Sequence, residues 1–78
     1  MMNKYYFTFG SDIKYPFHRG HVCVLADSMR AAARIFNKNY PPRENGWSNY
    51  AFSYDETVWN TEIVGKFPSM EVCHAILQ

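Results

Sequence analysis

Short apolar and alternating stretches divide the chain into four segments that favour β-structure. Residues 5–9 are aromatic or β-branched, residues 21–26 are apolar on both faces, and residues 49–54 alternate aromatic with small side chains. The first two segments are predicted to be antiparallel neighbours. Residues 71–77 fit a fourth strand and, almost as well, a short helix, because a short apolar run does not distinguish the two.

One long helix is predicted over residues 28–39. Its apolar residues recur every three or four positions, as on the buried stripe of an amphipathic helix: Met29, Ala32, Ala33, Phe36 and Tyr40. Asp27 is the expected N-cap, because its carboxylate can accept hydrogen bonds from unpaired backbone N–H groups. Pro41 disfavours helical geometry at the residue before it, so the helix ends near Asn39. The acidic residues 55–56 suit the start of a second, short helix.

The order β-β-α-β-(short α)-β predicts a small α+β domain of two layers, in which an antiparallel sheet of three to four strands packs on one main helix. The 78 residues allow one domain, 1–78, with a thin core. No apolar run approaches the 18 residues of a membrane span. Because residues 1–4 lead into a strand without a cleavage-site pattern, we expect no signal peptide and a cytoplasmic location.

The formal charge excludes the most strongly charged classes of binding protein. Eight Lys and Arg against seven Asp and Glu give a net charge of +1. A generic polyphosphate-binding surface needs a larger excess of basic residues, and an acidic mimic of nucleic acid needs an excess of acidic residues. Arg30, Arg34 and Lys38 nevertheless form a basic row at i, i+4 and i+8 of the predicted helix. The row is either its solvated face or a stripe for an acidic partner surface or a phosphate backbone.

The metal-ligating residue types form no recognised site. They are His18, His21, Cys23, Cys73 and His74, without a CxxC pair or a zinc-type spacing, so we predict no metal and no cofactor. On a strand Cys73 and His74 would point to opposite faces, while a pairing of Cys23 with His74 stays open. We therefore predict that the protein is not an enzyme, and that both cysteines are reduced and buried.

Two loops carry the residues best suited to contact a partner. The connection 10–20 is longer than the usual hairpin loop and supplies four of these residues, and the loop 43–47 supplies the other two: Tyr15, Phe17, His18, Arg19, Arg43 and Trp47. Aromatic and Arg side chains dominate binding hot spots, so Phe17→Ala and Trp47→Ala are expected to weaken binding without unfolding the domain. The alternative is that Ile13, Tyr15 or Phe17 folds back over the core.

An alternative function uses the sheet aromatics. Single-strand RNA binders stack bases on an open aromatic sheet face, and six residues of the predicted strands could form one: Tyr5, Phe7, Phe9, Tyr50, Phe52 and Tyr54. Together with the basic helix row, this face predicts a small nucleic-acid-binding module. The near-zero net charge and the thin core favour a structural role for the same aromatics.

The sequence also carries a family resemblance over residues 5–56. It rests on Tyr6-Phe7-Thr8-Phe9-Gly10-Ser11-Asp12, Tyr15-Pro16-Phe17, Ala26-Asp27-Ser28 before an Ala-rich helix, and Tyr54-Asp55-Glu56 after a strand. These segments resemble small accessory proteins of bacteriophages and prophages, including anti-CRISPR inhibitors of bacterial defence. The resemblance implies a tiny, cytoplasmic, non-enzymatic protein that occupies a surface of a bacterial protein or ribonucleoprotein complex such as a CRISPR-Cas effector.

The resemblance carries no residue roles, because the class shares no catalytic motif. Members of the class that imitate DNA are strongly acidic, and this chain is not. It therefore implies direct occlusion of a protein surface rather than charge mimicry. Independently of the resemblance, a chain of this size is only marginally stable alone, so binding to a partner or to itself as a homodimer would add stability.

Overall fold

The computed structural model describes residues 2–78 and confirms a small α+β domain. The strands are β1 (Asn3–Thr8), β2 (His21–Ala26), β3 (Phe52–Asp55) and β4 (Cys73–Leu77), and the main helix is α1 (Met29–Asn39). A short helix, α2 (Glu56–Val58), continues as a π-helix over Trp59–Ile63, and a single 3-10 turn covers Pro68–Met70. The element order agrees with the sequence prediction, and the segment 71–77 is resolved in favour of a strand.

The four strands form one mixed sheet in the order β3-β1-β2-β4. β1 is antiparallel to both β2 and β3, whereas β4 is parallel to β2. The prediction of an antiparallel sheet is therefore wrong for the β2–β4 pair. The chain reaches β4 from the opposite edge of the sheet, through the connection 56–72, and a crossover of this kind brings a strand back in the same direction.

One face of the sheet, which we call face A, packs against α1. Its core consists of apolar side chains from the two central strands and the helix: Tyr5, Phe7, Val22, Val24, Ala26, Ala32 and Phe36. The rings of Phe7 and Phe36 stack with their centroids 4.8 Å apart. The predicted helical stripe is thus the buried face of α1, as its 3.6-residue period requires.

The opposite face, face B, is covered by the π-helix. Trp59 and Ile63 bury Tyr6 and Cys23, and the Trp59 ring stacks on Tyr6 at 4.4 Å with an angle of 3°. His21 lies edge-on to Trp59 at 4.7 Å, and its Nδ1–H donates to the Met70 carbonyl oxygen at 2.8 Å. The predicted packing of the sheet on one main helix is therefore confirmed, and the π-helix adds a short cover on face B, which explains why β2 is apolar on both faces.

Three local predictions are also corrected. Ser28, not Asp27, is the N-cap of α1, because its Oγ accepts the Ala31 N–H at 3.1 Å. The third strand begins at Phe52 rather than at residue 49. Cys23 is buried as expected, but Cys73 is exposed at the sheet edge, and both are free thiols.

Candidate protein-binding surface

The two loops that the sequence singles out lie against each other. The Arg43 guanidinium sits over the Tyr15 ring, with its central carbon 4.5 Å from the ring centroid. A cation above an aromatic face is an attractive contact, worth about 0.5–2 kcal/mol depending on its desolvation. Residues 13–19 and 43–47 thereby form one continuous area, which we call the loop surface.

The first loop is shaped by a turn at Asp12. Its Oδ1 accepts the Lys14 N–H at 2.8 Å and its backbone oxygen accepts the Tyr15 N–H at 3.1 Å. The loop closes at Gly20, whose φ of +80° lies in the left-handed region that favours glycine. A Cβ at Gly20 would overlap the Val72 carbonyl oxygen, so the close approach also requires glycine there.

The second loop is a hydrogen-bonded turn that projects Trp47 into solvent. The Gly46 N–H donates to Arg43 O and the Arg43 N–H to Trp47 O, each at 2.8 Å, while Asn45 Oδ1 accepts the Trp47 N–H at 3.0 Å. Trp47 remains 68% exposed on this ordered turn. An anchored backbone beneath an exposed indole reduces the entropy that binding would otherwise cost.

Arg43 joins the loops and borders a depression between them. Its Nε donates to Asn49 Oδ1 at 3.2 Å, while its buried Nη2 has no hydrogen-bond partner in the described part of the chain. The depression has a volume of about 430 Å³ and is lined by Lys14, Arg43, Glu44 and Asn45. Its lining thus combines two cationic side chains with one acidic side chain and one amide.

The structure divides the six predicted contact residues into two groups. His18, Arg19 and Trp47 are exposed, whereas Tyr15, Phe17 and Arg43 are half-buried. Tyr15 and Phe17 fold back toward the core as the alternative interpretation proposed.

Phe17 is the more deeply engaged of these two aromatics. Its ring stacks on His74 at 4.0 Å with an angle of 5°, and it also contacts Phe9 and Tyr40. His74 Nε2 in turn donates to the Arg19 carbonyl oxygen, so β4 holds the end of the first loop in place. Phe17 thus holds the loop in place from below and offers little of its own side chain to a partner.

Sequence reasoning missed two members of the loop surface. Ile13 was considered only as core cover, but it is 84% exposed, and the adjacent Lys14 lines the depression. The turn-forming pair Ser11-Asp12 is the sequence signal that indicates their exposure, because a turn at these residues directs the side chains that follow it away from the sheet.

The predicted aromatic stacking face is not assembled. Tyr5, Phe7, Phe9 and Tyr50 pack on face A, whereas Phe52 and Tyr54 belong to face B. The reason is the register: Tyr54 pairs with Tyr6 and Ser53 with Phe7, while Tyr50 precedes the strand and turns onto Phe7 and Phe36. The basic row of Arg30, Arg34 and Lys38 is fully on the exposed side of α1.

The candidate ligands for a metal do not converge on one point. His21 and Cys23 lie on face B, and Cys73 is exposed on β4 at the position paired with His21. His74 stacks on Phe17 next to face A, and His18 is on the exposed loop. Across residues 2–78 no three His, Cys, Asp or Glu side chains are grouped so that they could hold a metal. The open pairing of Cys23 with His74 is also ruled out by their opposite faces.

Burial raises the pKa of the Cys23 thiol, which disfavours the nucleophilic thiolate. Cys23 therefore lacks the activated setting that covalent catalysis by a cysteine requires.

Comparison of the chain with protein-family models, with curated proteins and with solved structures gave no match. Among the described residues, no helix combines the length and the apolar character needed to cross a bilayer.

Proposed function

We propose that the protein is a non-enzymatic, phage-borne binding protein of the anti-CRISPR type that inhibits a bacterial defence complex in the host cytoplasm. It acts by occupying a protein surface and so blocking a nucleic-acid channel, a subunit contact or a conformational step. The observation that carries this proposal is the contact between Tyr15 and Arg43, which joins two independent loops into one ordered surface.

The loop surface has the composition of a binding hot spot. An exposed Trp47 and an exposed Ile13 supply apolar area, and Arg43 and Lys14 supply charge beside it. Hot spots are enriched in Trp, Tyr and Arg when these are desolvated at the centre of an interface. Trp47 inserted into an apolar pocket of the partner, with Arg43 against a carboxylate, is the contact that we expect.

The charges of the molecule indicate how the partner is oriented. α1 carries the three cations Arg30, Arg34 and Lys38 and no acidic residue, whereas the connection 56–71 on the opposite side of the sheet carries three acids and one Lys. Net neutrality therefore conceals a basic side and an acidic side. The loop surface is itself basic, because it carries Lys14, Arg19 and Arg43 against the single acid Glu44, and this favours an acidic partner surface.

The alternative function, a nucleic-acid-binding module, has less support from this arrangement. A stacking platform would have to lie beside the basic row, but α1 itself covers face A, where four of the six aromatics are packed. Phe52 and Tyr54 lie on the other face of the sheet. Phosphate contacts through three cations alone would give weak, strongly salt-dependent binding.

A pull-down from bacterial lysate tests the proposal. Tagged protein is incubated at moderate salt with nuclease-treated lysate of a strain that carries a defence complex, and the retained proteins are identified by mass spectrometry. We expect one complex in near-stoichiometric amount, lost with Trp47→Ala and kept with Phe52→Ala. Phe52 is the matched control, because it is an aromatic residue of similar exposure, 65%, on another part of the surface.

Two outcomes of this experiment contradict the proposal. Retention of nucleic acid alone, from untreated lysate and only at low salt, supports the alternative module. Equal retention of the complex by Trp47→Ala and the unaltered protein places the contact outside the loop surface.

The inhibitory step is tested by infection. A phage targeted by the captured system is plated on cells that express either the protein or Trp47→Ala. Plaque formation should be restored only by the unaltered protein. If the protein binds the complex but does not restore plaques, the binding claim stands and the claim that the protein inhibits the defence system is refuted.

A further inference from the structure

The two edges of the sheet differ in how they are protected. β3 is four residues long, ends in Asp55 and runs directly into α2. β4 is an edge strand of five residues, Cys73–Leu77, without a charged residue or a proline. Natural proteins usually protect exposed edges with charges, prolines or very short strands, because unpaired backbone N–H and C=O groups there accept another strand. A register irregularity marks only the start of β4, between its pairings with His21 and Val22.

Exposed apolar side chains accompany the unprotected edge. Ile76 is 67% exposed in the middle of the regular part of β4, and Val72 and Phe67 in the chain leading into the strand are also exposed. Single exposed apolar residues are common, but here they border open backbone hydrogen-bonding groups. The combination points to an occupant that offers both a strand and an apolar side chain.

The charge distribution indicates that this occupant is a second copy of the chain. A two-fold contact places the same surface of both copies together. Pairing through α1 would oppose three cations to three cations, and pairing through residues 56–71 would oppose two surfaces that each carry three acids and one Lys. β4 brings no formal charges together, so it is the favourable surface for self-association.

We propose that two copies associate through their β4 strands, which run antiparallel and extend the two sheets into one of eight strands. In the register centred on Ile76, the two Ile76 residues face each other and Ala75 faces Leu77 of the second copy. Directly opposed residues of an antiparallel pair have Cα atoms about 4.5–5.5 Å apart, so the two Ile76 side chains touch on face B. The small interface implies a weak, concentration-dependent dimer.

Sedimentation equilibrium of the purified protein tests the association. Over a range from about 10 μM to about 500 μM, the average mass should rise from that of the monomer toward that of the dimer. Ile76→Lys places two like charges opposite each other and should raise the dissociation constant at least about tenfold. Phe52→Lys, on the opposite edge and equally exposed, should leave it unchanged, and thermal melts verify that both variants fold.

The register is tested by cross-linking. Ile76→Cys in a Cys73→Ser background should form an intermolecular disulfide on mild oxidation, because opposed Cα atoms lie within the 4.4–6.8 Å that a disulfide spans. Phe52→Cys in the same background should not. A monomer at all concentrations overturns the proposal, as does a dimer that Phe52→Lys dissociates and Ile76→Lys leaves intact. Neither result bears on the loop surface, which binds its partner elsewhere.

Discussion

Alanine substitution at Phe17 and at Trp47 should separate a supporting residue of the loop surface from a contact residue. Truncating a fully buried Phe costs about 3–5 kcal/mol of unfolding free energy. Phe17 is half-buried against His74, Phe9 and Tyr40, so about half of that, about 1.5–2.5 kcal/mol, is expected for Phe17→Ala. At about 4–8 °C per kcal/mol for a domain of this size, Tm falls by about 6–20 °C.

Trp47→Ala should behave differently. Exposed substitutions change stability by no more than about 0.5 kcal/mol, so its Tm stays close to that of the unaltered protein. Thermal unfolding followed by near-UV circular dichroism measures both variants, and binding is measured well below either Tm. A Phe17→Ala variant as stable as the unaltered protein would show that the Phe17–His74 stack does not hold the loop. A Trp47→Ala variant that melts early would make Trp47 a core residue and refute its role as a contact.

Three further predictions concern the layers around the loop surface. Trp59→Ala should lower the free energy of unfolding by about 3–5 kcal/mol, a large part of the about 4–12 kcal/mol available to 78 residues. Val58→Ala, at the neighbouring exposed position, should change it little. Equal chemical-denaturation midpoints for the two variants would contradict the packing of Trp59 on face B. Burial lowers the pKa of His21 below its usual 6.5, so the folded state prefers the neutral ring. Stability should therefore be full above pH 6.5 and fall as the pH drops through 6.5 toward the lowered pKa, and His21→Gln should flatten this slope in urea titrations at successive pH values. Gly20→Ala adds a Cβ against the Val72 carbonyl oxygen at a residue with left-handed backbone geometry, so it should lower Tm. It should also make the first loop more mobile, which is measured as faster proteolytic cleavage within residues 10–20. An unchanged cleavage rate would contradict the tight closure of the loop at Gly20.

The elements with strong local periodicity were predictable from sequence. α1 followed its apolar stripe from Met29 to Phe36, and the antiparallel pairing of β1 with β2 followed from two strands joined by one loop. The same local reasoning failed where a longer-range choice decided the outcome. Alternation in 49–54 assigned Tyr50 and Phe52 to one face, but the strand begins only at Phe52. Tyr50 packs on face A, whereas Phe52 is exposed on face B.

The candidate site could be predicted only by residue type. Tyr15 and Arg43 were selected as good contact residues, but their mutual contact joins positions 28 apart in the chain and has no local signal. The exposure of Cys73 and the parallel direction of β4 likewise depend on the path of residues 56–72 from one edge of the sheet to the other. No local pattern of apolar and polar residues predicts that path. Local propensity thus determined the elements, while tertiary packing determined which side chains remained available to a partner.

Hydrogen–deuterium exchange of the protein alone and with its captured partner tests the central claim most directly. The account predicts slower exchange on binding at the backbone amides of residues 13–19 and 43–47, with little change in β3. Protection confined to β3 or to the acidic connection 56–71, with unchanged exchange in both loops, would contradict it.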